Sequence, residues 1–269
     1  NDTCTLPSTA AGTGIALAGG AASSISEGPL SAGGYSFKAH YNGNAFYDAT
    51  DGICEPLTIT KNSPTIATTL SQEVAPVGTS VHDSAILTGA TANAGGSVTY
   101  TIFTNNQCSA GAMDAGTKVV TNGVIPNSND VNFPKAGTYY WQVVYSGDVA
   151  NDAATSTCLS EILTINKRAP TIATVLSNTS VNTGASVHDT STLSGATANA
   201  TGTVTYTVFS NNQCSVGAID AGTKNVTNGI VPNSNAIVFP NTGTFYWQAV
   251  YSGDMNNAGA ITPCIEEIL

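Results

Sequence analysis

Six cysteines stand in three pairs, Cys4/Cys54, Cys108/Cys158 and Cys214/Cys264, and within each pair the second follows the first by 50 residues. Cysteines at a repeated, identical spacing read as three disulfides. Zinc ligation is the competing chemistry, but two cysteines per unit, with no CxxC and no histidine partner nearby, do not compose such a site. His82-Asp83 and His188-Asp189 offer a base beside an acid. Hydrolysis would also need a nucleophile held by the base and oxyanion donors, and no motif supplies them. Neighbours on a strand point to opposite faces, so these residues are expected to make strand-edge hydrogen bonds rather than meet each other. Asp148 and Asp254 end YSGD turns, with Asp152 close to the first. Calcium would need several converging oxygens at a loop spacing that is not present, and Asn44 occupies the position in the first copy, so turn chemistry is expected. Asn1, Asn178, Asn199 and Asn225 head Asn-x-Ser/Thr triplets and are candidate glycan acceptors.

The elements that position these residues recur. Residues 64–163 match residues 170–269 without a gap: PTIATTLS at Pro64 returns as PTIATVLS at Pro170, and YWQVVYSGD at Tyr140 as YWQAVYSGD at Tyr246. SVHD and NNQCS recur at the same offset, from Ser80 to Ser186 and from Asn105 to Asn211. A third, diverged copy opens the chain, where YSFKAHYNGN at Tyr35 aligns with YYWQVVYSGD at Tyr139. That copy lacks everything corresponding to residues 64–104. The expected organisation is a partial repeat over 1–63 and two full repeats over 64–168 and 169–269.

Each repeat reads as strands. Residues 97–102 alternate, with Val98, Tyr100 and Ile102 toward a core and threonine or serine outward; Val204, Tyr206 and Val208 repeat the pattern. Tyr139, Trp141, Val143 and Tyr145 share one face of another strand, as do Phe245, Trp247, Ala249 and Tyr251, with Tyr35, Phe37, Ala39 and Tyr41 as their first-copy counterparts. Their alternation with polar residues marks Tyr41, Tyr100, Trp141, Tyr145, Tyr206, Trp247 and Tyr251 as core rather than as a sugar-stacking platform. Asn-Gly at Asn122 and Asn228, and Ser-Gly-Asp at Ser146 and Ser252, supply turns. About seven short strands per repeat around a Trp and a closing Tyr predict an all-β chain of tandem immunoglobulin-like β-sandwiches. The linkers, residues 60–63 and 166–169, are short and each runs into a proline, which limits swing.

Composition removes several functions. Only 9% of the 269 residues are charged, and 17 acids against 7 bases leave a formal charge of −10. Seven scattered cations cannot build the basic stripe that nucleic acid requires, nor grip an anionic membrane. The longest apolar stretch, residues 14–22, is Gly-broken and too short to span a bilayer. The polar start Asn1-Asp2-Thr3 is read as that of a mature or excised product.

TGTVTYTVF at Thr201, GTFYWQAVYSGD at Gly243 and ITPCIEEIL at Ile261, with their second-repeat counterparts, resemble the Ig-like modules found in tandem in large bacterial and archaeal surface proteins. The resemblance covers both full repeats and, more weakly, residues 1–63. It implies a sandwich fold, a spacer, stalk or assembly role, and no catalytic residues. The expected protein is therefore a non-enzymatic rod of the cell exterior without cofactor or metal. It would self-associate with identical chains into a filament or array, or stand as a stalk. An adhesin whose loops bind a glycan or a host protein is the alternative. The gap left by the missing opening strands would be filled by a neighbouring chain, covered by the Gly- and Ala-rich residues 5–34, or explained by excision from a longer rod.

Overall fold

The computed structural model describes Cys4 and residues 8–269, so Asn1 lies outside the described residues. Among the described residues there is no helix, and hence none long and apolar enough to cross a membrane.

In the second repeat the alternating segment becomes the strand Ser97–Phe103, at the heart of a sheet. On one side it pairs antiparallel with Met113–Val119 and on the other with Gly137–Tyr145, which in turn pairs with Ile162–Asn166. Val74–Pro76 adds a parallel edge to that last strand. Facing this sheet are two short hairpin-like ladders, Thr65–Leu70 with Asp83–Thr88 and Ser80–Val81 with Val131–Asn132. Ile66, Leu70, Val81 and Ala85 from one layer pack with Val98, Tyr100, Ile102, Trp141, Val143 and Leu163 from the other. This is an immunoglobulin-like β-sandwich.

The third repeat is built the same way, except that residues 180–182 form no parallel edge strand. Thr203–Phe209 lies between Ile219–Asn225 and Tyr246–Tyr251, and Thr171–Leu176 paired with Asp189–Ser194 covers the sheet. Ile172, Leu176, Val204, Tyr206, Val208, Trp247 and Tyr251 form its buried cluster. The register is conserved bond for bond: Trp141 pairs with Ile102, and Trp247 with Val208. Both outer strands carry a bulge that turns Ala115 and Ala221 fully inward. Gly116 at that bulge has φ 101°, and a side chain there would come within 2.6 Å of the Asn129 amide. Only glycine satisfies both conditions.

The first copy forms two small ladders, Gly33–Phe37 with Glu55–Ile59 and His40–Tyr41 with Thr50–Asp51. No described residue before Pro64 is buried. Tyr41, expected in a core, is only half-buried, which corrects that expectation: among the described residues no second layer covers its face. Residues 8–30 do not supply the cover either, since Ile15, Leu17 and Ile25 stay exposed.

Candidate functional site

The residues singled out by type fall into three places: the cysteine-bearing loops, the joints between repeats, and the sandwich interiors.

Disulfides join Cys4 to Cys54, Cys108 to Cys158 and Cys214 to Cys264, with Cα–Cα separations of 5.8, 5.7 and 5.7 Å. The first cysteine of each pair has positive φ, 53°, 50° and 48°. In the full repeats an asparagine organises the turn that holds it there. Asn105 Oδ1 accepts from the N–H groups of Ser109 and Ala110, and its amide donates to Ser109 Oγ. Asn211 does the same with Ser215 and Val216. Each bond thus ties the loop after the central strand to the segment ahead of the last one. Three disulfides are the chemistry of an oxidising compartment.

At the first joint, Asn62 and Asp152 exchange backbone contacts, with Asn62 N–H donating to Ala150 and Asp152 N–H to Asn62. Lys61 Nζ donates to the Asp148 carbonyl, and Ser63 Oγ to Asp152. The second joint repeats this with Lys167 and Asp254, and with Arg168 bonded to Asn256 and Ala258. It then adds bonds back to the preceding sandwich. Asn256 Nδ2 donates to Pro134 O and its Oδ1 accepts from Ala136 N–H, both at 3.1 Å, while Arg168 Nε donates to Val77 O at 3.2 Å. The corresponding positions at the first joint hold Ala150 and Asn62, and alanine has no side chain to make such a bond. Sequence reasoning did not single out Arg168 and Asn256. The signal available was their departure from an otherwise faithful repeat. At roughly 1 kcal/mol per net hydrogen bond, Asn256→Ala with Arg168→Ala is expected to loosen the second joint without melting either sandwich. Small-angle scattering should then show a broader distance distribution; an unchanged profile would mean the linker backbone alone sets the angle.

The YSGD turns are closed by their own acids. Asp148 Oδ1 accepts from Ala150 and Asn151 N–H, and Oδ2 from Gly95 N–H and Tyr145 OH. Against the opposing effect of burial, the N–H groups of Gly95 and Ala150 and then Asn151 hold Asp148 down to about 2. Asp254 repeats the arrangement with Thr201, Asn256 and Asn257 and is likewise lowered. Asn44 caps Phe46 and Tyr47 in the first copy by the same geometry, at 2.8 and 2.9 Å. No group of three or more acids, histidines and cysteines suited to a metal occurs among the described residues.

His82 and Asp83 face opposite ways. His82 is on the outer side, where Nδ1 lies 3.0 Å from Asp130. Asp83 is fully buried, as is Asp189, so an edge role describes neither acid. The hydroxyls of the core tyrosines are all used: Tyr100 donates to Pro126 O, Tyr206 to Pro232 O, Tyr145 to Gly95 O and Tyr251 to Thr201 O. Trp141 and Trp247 are 1% exposed and reach no surface at which a sugar could stack. Asn178, Asn199 and Asn225 are exposed, the first two in loops and the third at the end of Ile219–Asn225.

No family model matches the chain, and no curated protein matches it in sequence. Similar solved structures include red sea bream transglutaminase, 8% identical with a TM-score of 0.34, over 73% of this chain and 30% of that one. The adhesin InvE of Yersinia pseudotuberculosis is 14% identical with a TM-score of 0.31, over 73% of this chain and 58% of that one. The Escherichia coli adhesin FdeC is 12% identical with a TM-score of 0.29, over 85% and 74%. The chain thus spans less than two thirds of the first two structures. Likenesses this distant decide nothing about activity, and the functional reading rests on the chain's own geometry.

Proposed function

We propose that this chain is a non-enzymatic structural segment of an extracellular surface protein, divided at 63/64 and 168/169 into a partial and two complete Ig-like units. It serves as a disulfide-stapled rod, in a stalk or as the subunit of a filament or surface array, with glycans on Asn178, Asn199 and Asn225. The observation that carries this reading is the duplication itself. Two sandwiches share one register, one disulfide and the same hydrogen bonds from linker to loop, which serves spacing and stiffness rather than a unique binding face. The resemblance to surface-protein Ig modules supports the same conclusion. Self-association is supported by the first copy: among the described residues no layer covers its two ladders, and a neighbouring chain could add a strand at their edges.

Electron microscopy of the purified, unreduced chain tests this. Regular fibres are expected if neighbours complete the first copy, and isolated stiff rods if it is a stalk segment. Flexible beads or compact globules would refute the rod.

One observation favours the adhesin reading. The loop that carries Ala150-Asn151 and Asn256-Asn257 in the full repeats carries Phe46-Tyr47 in the first, and these rings are 88% and 69% exposed. Glycan-array binding lost on Phe46→Ala with Tyr47→Ala would place recognition there.

A further inference from the structure

Each complete sandwich buries two acids against each other. Asp83 opens the strand Asp83–Thr88 in one layer, and Glu161 immediately precedes Ile162–Asn166 in the other; they are 0% and 6% exposed. Their side chains are within hydrogen-bonding reach, and Glu161 also engages the Thr68 side chain and the Leu70 backbone of the covering layer. With both acids ionised, the buried oxygens Asp83 Oδ2 and Glu161 Oε2 find no donor. Asp189 and Glu267 repeat the arrangement in the third repeat, with Thr174 and Leu176 as the cross-layer contacts of Glu267, the backbone N–H groups of Val175 and Thr190 beside Asp189, and Glu267 Oε2 without a donor.

We propose that each pair binds one shared proton, forming a buried carboxylic acid–carboxylate clamp that holds the two sheets together in acid and weakens in alkali. A proton on either acid turns it into the donor that the other lacks, whereas two buried, facing carboxylates repel, and the Thr69 N–H, 3.2 Å from Asp83 Oδ1, offsets this only in part. Among the described residues no cation pairs with any of these four acids. The titratable groups that act on the Asp83/Glu161 pair are Tyr100 from the central strand and Glu73, and on Asp189/Glu267 they are Tyr206 and Glu266. None is basic. His82, next to Asp83, turns out to Asp130. The first copy offers a comparison: Glu55 stands opposite Phe37 as Glu161 stands by Trp141, yet among the described residues no strand brings an aspartate to it, and Glu55 is exposed.

Burial, and then the charge of Glu161, push Asp83 up to about 8; burial and Glu267 do the same to Asp189. Burial raises Glu161 and Glu267 as well. The proton belongs to the pair rather than to either residue. The folded chain therefore holds more protons than the unfolded one from about pH 4, the ordinary carboxyl value, up to about pH 8. Stability from this source is complete at the acid end of that window and is lost as pH rises through it. Asp148 acts oppositely, losing its contribution only as pH falls below about 4 toward 2, and the lowered Asp254 works in the same direction.

Two measurements test the clamp. In the wild type, the carboxyl 13C resonances of Asp83 and Asp189 should titrate far above the ordinary carboxyl range of about 4; titration of both below pH 5 would overturn the proposal, and needs no variant. In thermal melts the wild type should lose roughly 10 °C or more between pH 5 and pH 9. Asp83→Asn with Asp189→Asn, which replaces the shared proton by a permanent amide donor, should flatten that loss, while Asp130→Asn should not. Equal slopes in all three proteins would overturn it, as would a slope abolished by EDTA, which would show that a metal ion rather than a proton neutralises the pair.

Discussion

Pulled by its two ends, the second sandwich should lengthen by about 170 Å less when oxidised than when reduced. Cys108 and Cys158 are 50 residues apart in sequence and 5.7 Å apart in space, so their bond removes the whole intervening loop from the load-bearing path. That loop contains the outer strand Met113–Val119 and the whole of the sheet's longest strand, Gly137–Tyr145, leaving only the opening strands and Ile162–Asn166 free to extend. The third sandwich, with Cys214 and Cys264 at the same separation, should give the same difference, so single-molecule traces should show two equal steps that both grow on reduction. At equilibrium, a closed loop of this size stabilises by about 4 kcal/mol in the chain-entropy model. Cys108→Ser with Cys158→Ser should therefore lower the urea midpoint of that sandwich by a corresponding amount. Steps that do not change with reductant would mean that the bridge carries no load and that the rod owes its stiffness to packing alone.

Trp141→Ala should cost about 3–5 kcal/mol, enough to unfold the second sandwich at moderate temperature. The indole is 1% exposed, lies in the middle of Gly137–Tyr145, and packs within a cluster drawn from both sheets. Its loss leaves a cavity that close-packed neighbours cannot fill. The equivalent change in the first copy, Phe37→Ala, should cost roughly 1 kcal/mol or less, because that ring is only half-buried and a partly covered side chain has already forgone much of its transfer energy. Calorimetry of the two single variants decides the matter. If Phe37→Ala proved as costly as Trp141→Ala, the first copy would possess a core in solution that a single sheet cannot supply, and a neighbouring chain would have to be covering it.

Much of this could be read directly from the residues. Alternation at Val98, Tyr100 and Ile102 names both the strand and its buried face, because side chains on a pleated strand change sides at every residue. Asn44, Asp148 and Asp254 announce turns because a short polar side chain can cap the N–H groups two and three residues on. Trp141, Tyr145, Trp247 and Tyr251 follow from the same alternation. All of these depend on neighbours within a few positions, or on one period repeated over six or seven residues.

What escaped that reading depends on distant segments meeting. Tyr41 has the same local pattern as Tyr145, but burial is conferred by the layer opposite, and none of the described residues supplies one to the first copy. Asp83 looks like any polar strand residue until Glu161, far along the chain, is brought against it from the other sheet. Arg168 and Asn256 become joint residues only when a third sandwich meets Val77, Pro134 and Ala136 of the second. Local periodicity determined the strands, turns and repeating unit by itself. Tertiary structure decided which acids are buried as pairs and which joint is bonded from both sides, because those depend on distances across layers that no spacing along the chain encodes.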